Sequence, residues 1–86
     1  MERRQLSITG QVQGVGFRPF VHQLAARLGV AGSIRNDGDG VGIDCRAAAE
    51  VLDRFERAIA EQAPPLARIE AFASRRIPLD PAAPDP

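Results

Sequence analysis

The stretch Gly10-Gln11-Val12-Gln13-Gly14-Val15-Gly16-Phe17-Arg18-Pro19-Phe20 joins a segment with strand periodicity to a segment with helical periodicity. Its three glycines permit backbone turns with φ > 0 and let N–H groups approach a ligand closely. The start of a helix offers unpaired N–H groups and the positive end of a dipole. Arg18 adds a permanent charge with a planar fork that matches two phosphate oxygens. The stretch therefore predicts an anion site, and phosphate is the usual occupant of such sites.

Periodicity on either side of this stretch predicts the first strand and the first helix. Apolar residues alternate within Gln5–Val12, which indicates a half-buried strand preceded by a polar lead-in, Met1–Arg4. From Phe17 onward the period becomes helical, and Gly29 is a typical helix end. The apolar face of this helix is predicted to comprise Phe17, Phe20, Val21, Leu24, Ala25 and Leu28.

The second half of the chain predicts a hairpin, a helix and a last strand. Val30–Asn36 and Val41–Arg46 alternate and flank a strong turn signal, Asp37-Gly38-Asp39-Gly40. Residues 48–62 have helical periodicity, with Asp53 and Arg57 expected to form an i,i+4 ion pair. A strand within residues 66–77 is expected to direct Ile69 and Ala71 inward. Residues 78–86 contain four prolines and are predicted to be a linker or tail, which leaves residues 1–77 as the domain.

The order βαββαβ predicts an α+β, ferredoxin-like sandwich with two helices on one face of a four-stranded antiparallel sheet. Right-handed crossovers make the first two strands parallel, with the third strand between them. Parallel strands end at the same edge, so Arg18 and Asn36 should meet there although 18 positions separate them. Two strand spacings put these strand ends roughly 9–10 Å apart, a gap that an arginine and a small anion can bridge.

Composition limits the classes of function. Eleven basic and eleven acidic residues cancel, so no general field attracts nucleic acid or anionic lipid. One cysteine forbids an internal disulfide and suits a reducing compartment, and no apolar run reaches membrane length. We therefore expect a cytoplasmic protein that acts on a small molecule, with no nucleic-acid partner, no membrane, no metal and no cofactor.

The loop and the end of the second strand resemble the acylphosphatase family over about residues 5–77. The family pattern G-x-V-Q-G-V-x-F-R is matched by residues 10–18, and Asn36 stands where the family has an asparagine. The resemblance implies that Arg18 holds the phosphate of an acyl phosphate and that Asn36 orients the attacking water. It also implies a phosphate cradle made by Gln13, Gly14, Val15, Gly16 and Phe17.

Further details are similar to the N-terminal domain of the HypF carbamoyltransferases, which mature nickel–iron hydrogenases. The similarity is carried by Gly16–Val21, Arg35–Val41 and Pro64–Ile69. It implies carbamoyl phosphate as the substrate and further domains in a longer parent chain.

Three other functions are known for domains of this predicted topology. A non-catalytic module of the same fold could bind a phosphorylated ligand or serve regulation without turning the ligand over. An RNA-binding sheet needs aromatic residues on its central strands, and strands one and three have none. A metal-binding ferredoxin-like domain needs paired cysteines, whereas the chain has only Cys45.

Overall fold

The computed structural model describes residues 1–79 and has the predicted element order. The elements are β1 (Glu2–Gln11), α1 (Phe17–Leu28), β2 (Ala31–Asp37), β3 (Gly40–Ala47), α2 (Ala49–Gln62) and β4 (Arg68–Ile77). The strand order is β2-β3-β1-β4, and each neighbouring pair is antiparallel. β1 and β2 are therefore parallel with β3 between them, as predicted. Of the predicted tail, Pro78 and Leu79 follow β4, and residues 80–86 lie outside the described residues.

The core lies between the sheet and the two helices. Alternate residues of β1 and β3 supply its sheet side, and the predicted helical stripes supply the other side. Cys45 belongs to this core, and burial raises the pKa of its thiol to about 11. The buried apolar residues are Leu6, Ile8, Val12, Phe17, Val21, Leu24, Val41, Ile43, Cys45, Ala47, Leu52, Phe55, Ala58 and Ile59.

The first strand begins at Glu2, so the prediction of a polar lead-in over Met1–Arg4 was wrong. Arg4 contacts the carboxylates of Asp53 at 2.9 Å and Glu56 at 2.7 Å on α2, and that of Glu2 on its own strand. Burial alone would lower the pKa of Arg4, but these hydrogen bonds outweigh it and raise the pKa. Within residues 1–79, Asp53 is therefore ion-paired with Arg4 and not with Arg57, the partner that the i,i+4 spacing had suggested. The polar residues of this extension pair along the backbone with β3 and β4, and their charged side chains have partners on α2, β3 and β4.

The pairing of β1 with β4 contains a bulge that changes which side chains face the core. Thr9 pairs with Ala71 and Gly10 pairs with Ile69, so Glu70 is an extra residue on β4. The extra residue turns both Ile69 and Phe72 toward the core and leaves Ala71 exposed. The expectation that Ala71 faces inward was therefore wrong, because simple alternation does not hold across a bulge.

Gly10 belongs to this bulge and not to the anion loop in which the sequence placed it. Its φ is 127°, and a Cβ at this position would lie 2.2 Å from the carbonyl oxygen of Arg68. A side chain there would strain the backbone and also collide with β4.

We expect Gly10→Ala to lower the free energy of unfolding by about 3 kcal/mol, because left-handed strain and overpacking add. Gly29→Ala is the matched control, since Gly29 has a φ of 75° with nothing within 4 Å of an added Cβ. The control should lose only about 1 kcal/mol. Urea unfolding measures both variants, and equal losses would contradict the close contact at Gly10.

Candidate active site

Two left-handed glycines shape the loop between β1 and α1. Gly14 has a φ of 74° and Gly16 a φ of 79°, whereas Val15 between them has a negative φ. Alternating signs of φ turn successive N–H groups toward one side, which forms a concave nest for an anion. A Cβ added at Gly14 or Gly16 would meet nothing within 4 Å, so the backbone conformation and not crowding explains both glycines.

The amides of this loop are available to a ligand. α1 begins with Gly16 as N-cap and no side-chain capping bond, and its first backbone bond runs from Phe20 N–H to Gly16 O at 3.2 Å. Within residues 1–79, the amides from Gly14 to Arg18 donate no hydrogen bond. The first turn carries no acidic residue either. The positive end of the helix dipole therefore faces solvent uncompensated.

Arg18 is the second residue of α1 and is exposed, whereas Phe17 before it is buried in the core. Phe17 fixes the start of the helix, so the base of the Arg18 side chain has a defined place beside the loop. In the described part of the chain, Arg18 has neither a hydrogen bond nor an ion pair. Its guanidinium is thus available to an anion held by the loop.

Gln13 ties the loop to the β2–β3 hairpin. Its side-chain Nε2 donates to the carbonyl oxygens of Gly38 at 3.0 Å and Gly40 at 2.8 Å. The hairpin turn is short, since Asp37 pairs with Gly40 and Gly38 has a φ of 60°. The resemblance implied only a place in the phosphate cradle for Gln13, and the side chain has this second role. Its partners lie 25 and 27 positions away, so no local pattern could indicate them.

Asn36 lies on the helix-covered face of the sheet, near the end of β2. It pairs with Val41, which in turn pairs with Ile8, and both of these are buried under the helices. Ile34, two residues earlier on the same face, is half-buried, whereas Asn36 is exposed. On the helix-covered face of β2, the apolar Ile34 is therefore followed by Asn36, whose amide is exposed to solvent near the end of the strand.

Arg18 and Asn36 lie at similar distances, each along its own element, from a groove that α1 and β2 both line. Val21 of α1 and Ile34 of β2 line one groove. Arg18 lies three residues before Val21, about 4.5 Å along the helix. Asn36 lies two residues after Ile34, about 6.6 Å along a strand that runs the opposite way. Both side chains therefore belong to the end of the molecule that carries the glycine loop.

Other candidate chemistry is limited in the described residues. His22 is exposed on α1, one helical turn after Arg18. Residues 1–79 contain no group of three His, Cys, Asp or Glu side chains that could hold a metal ion. Over the same range, both helices are too short or too polar to cross a membrane.

Comparison with known proteins identifies the family of the chain. The family model described as acylphosphatase matches residues 4–84. The chain belongs to the acylphosphatase family. An acylphosphatase of Enterococcus faecalis is 36% identical over 80 residues, which cover 92% of this chain and 88% of that protein.

Longer proteins are also similar to the chain. The carbamoyltransferase HypF2 of Cupriavidus necator is 46% identical over 74 residues, 86% of this chain but 9% of that protein. A full-length HypF solved in a phosphate- and nucleotide-bound form has a TM-score of 0.85 at 36% identity. The match covers 88% of this chain and 10% of that protein. The acylphosphatase of Bacillus subtilis has a TM-score of 0.83 at 27% identity, with 90% and 86% covered. The chain thus spans about a tenth of its HypF relatives and most of its acylphosphatase relatives.

We expect Gln13→Met to lower kcat for acetyl phosphate roughly tenfold, because the loop loses its tie to the hairpin and a small misplacement is costly. Met keeps the length of the side chain but cannot donate the two hydrogen bonds. Gln23→Met is the control, since Gln23 is an exposed residue of α1 and its side chain makes no such bond in residues 1–79. Steady-state kinetics decide the matter, and an unchanged kcat in Gln13→Met would show that the tie does not matter.

Proposed function

We propose that the chain hydrolyses acyl phosphates by attack of water at phosphorus. Gln13, Gly14, Val15, Gly16 and Phe17 supply the cradle of main-chain amides, Arg18 grips the phosphate, and Asn36 holds the water. The observation that carries this proposal is that, within residues 1–79, the amides at the start of α1 donate no hydrogen bond and the neighbouring Arg18 has no ion pair. Such a site supplies what phosphoryl transfer requires, which is positioning and compensation of charge.

The reaction needs little covalent chemistry from the protein. The water oxygen forms a bond to phosphorus while the bond from phosphorus to the acyl oxygen breaks. The leaving carboxylate takes the electron pair, and the products are a carboxylate and inorganic phosphate. Negative charge spreads over the equatorial oxygens in the transition state, where the amides and Arg18 meet it. The amide of Asn36 is a poor base, so we assign the water proton to a phosphate oxygen of the substrate itself.

We further propose carbamoyl phosphate as a substrate and a place in the N-terminal part of a HypF-type chain. The relatives named carbamoyltransferase HypF support this, as do their identities of 46% and 51%. In such a parent protein the domain would contribute to hydrogenase maturation. A buried free thiol, Cys45, supports placing the protein in the cytoplasm.

Arg18→Ala should reduce phosphate release from acetyl and carbamoyl phosphate by about a hundredfold or more and should weaken phosphate binding, because charge stabilisation is lost. Asn36→Ala should lower kcat while leaving binding of inorganic phosphate nearly unchanged. Arg27→Ala is the matched control, since Arg27 is an exposed arginine at the other end of α1. Phosphate release and calorimetric titration with phosphate measure the two effects.

Wild-type rates in both site variants would refute the assignment of roles. If the unsubstituted chain binds phosphate but releases none from acetyl or carbamoyl phosphate, a non-catalytic binding or regulatory module is favoured instead. A preference for acetyl over carbamoyl phosphate would contradict only the assignment of the substrate.

A further inference from the structure

A tight turn joins α2 to β4 and presents an apolar side chain to solvent. The turn comprises residues 64–67 and is closed by a hydrogen bond from the Ala67 N–H to the Pro64 carbonyl oxygen at 2.9 Å. Pro65 fixes the φ angle at one of its two central positions. Leu66 occupies the other position and is 76% exposed, more than any other large apolar side chain of residues 2–79. None of the roles proposed above uses this turn, although it carries part of the similarity to the HypF domain.

The turn lies at the end of the sheet from which the glycine loop departs. Arg68, the first residue of β4, pairs with Gln11, the last residue of β1. The chain leaves β1 for the glycine loop at this pair, and it enters β4 from residues 64–67 at the same pair. Val15 of the loop and Ala67 of the turn are both half-buried and pack against the core. The glycine loop and the turn are therefore neighbouring connections between the sheet and the helices.

The glycine loop has this turn on one side and Asn36 on the other. The strand order β2-β3-β1-β4 puts Asn36, near the end of β2, on the β3 side of β1, and it puts Leu66 on the β4 side. In phosphoryl transfer the attacking and leaving oxygens lie roughly in line through phosphorus. With Asn36 holding the water, as proposed above, the leaving carboxylate departs on the side away from β2, which is the side of Leu66.

We infer that Leu66 contacts the acyl substituent of the substrate and determines which substituents are preferred, an inference that rests on the proposed function. A leucine side chain covers apolar surface but offers no hydrogen bond, so it favours a large apolar substituent such as an aryl group. It has little to offer the small substituents of acetyl or carbamoyl phosphate. Because Pro65 and the hydrogen bond across the turn already fix the backbone, little conformational entropy is lost when Leu66 makes this contact. Leu66 takes no part in the chemical step.

The inference is tested by shortening the exposed leucine. Leu66→Ala removes the contact at a position where a substitution should change stability little. Leu66→Met keeps an apolar side chain of similar size. Leu79→Ala is the matched control, since Leu79 is also exposed but lies beyond the end of β4, near Glu2 at the opposite end of the sheet. The experiment compares kcat/KM for benzoyl phosphate with kcat/KM for acetyl phosphate in the unsubstituted chain and in the three variants. Using this ratio removes the difference in intrinsic reactivity between the two compounds, and circular dichroism checks that each variant is folded.

We expect the benzoyl-to-acetyl ratio to fall roughly fivefold in Leu66→Ala, the effect of no longer covering about 40 Å² of apolar surface. The ratio should stay unchanged in Leu66→Met and in Leu79→Ala. An unchanged ratio in Leu66→Ala, or an equal fall in either of the other variants, overturns the inference. An unsubstituted chain that hydrolyses acetyl but not benzoyl phosphate also overturns it and leaves the proposed function standing. An unsubstituted chain that hydrolyses neither compound overturns the proposed function, and this inference with it.

Discussion

The backbone between β1 and α1 changes direction while its last amides, from Gly14 to Arg18, donate no hydrogen bond within residues 1–79. Left-handed glycines at positions 14 and 16 make this possible, and Gly16 caps the helix without a side-chain acceptor. Most helices satisfy their first amides with a capping side chain or with water. Here the amides from Gly14 to Arg18 have no partner among the described residues, and the alternating signs of φ in the loop are typical of an anion-binding nest. The loop thus remains open to an external anion that can supply the missing acceptors.

The topology of the sheet then places Asn36 at the same end as this loop. The parallel relation of β1 and β2 puts the loop and Asn36 at one sheet edge, and β3 between them keeps the spacing fixed. The two hydrogen bonds from Gln13 join the loop to the β2–β3 hairpin. α1 carries the loop amides at its start and Arg18 in its first turn, so a single rigid helix positions both groups that we propose for phosphate binding. A chain of this size can hold such a site because the loop, Arg18 and Asn36 lie on or next to elements that the core already fixes.

Much of the fold could be predicted from the sequence because its signals are local. The period of the apolar residues gives α1 with both of its observed bounds, Phe17 and Leu28, and the turn signal at Asp37–Gly40 gives the hairpin. The errors fall where a distant segment decides the structure. Glu2–Arg4 extends β1 because distant segments pair with it: the backbones of β3 and β4, and the carboxylates of Asp53 and Glu56 on α2. Gly10 and Ala71 differ from prediction because the bulge at Glu70 involves two strands about sixty positions apart.

The candidate site likewise has one part that local sequence signals predict and another part that depends on distant segments. The loop glycines and Arg18 are contiguous, so their pattern alone predicts an anion site at a helix start. The role of Asn36 depends on strand order, which the element sequence predicts through the handedness of crossovers. The side-chain bonds of Gln13 depend on packing between segments, and only the three-dimensional structure reveals them.

The central claim, that the amides of the loop hold the anion, is tested most directly by a titration of ¹⁵N-labelled protein with inorganic phosphate. The account predicts that the largest amide shifts occur from Gly14 to Arg18, with saturation. Dominant shifts on the opposite face of the sheet, around the hollow at Gly42 between Arg35 and Arg75, would contradict it.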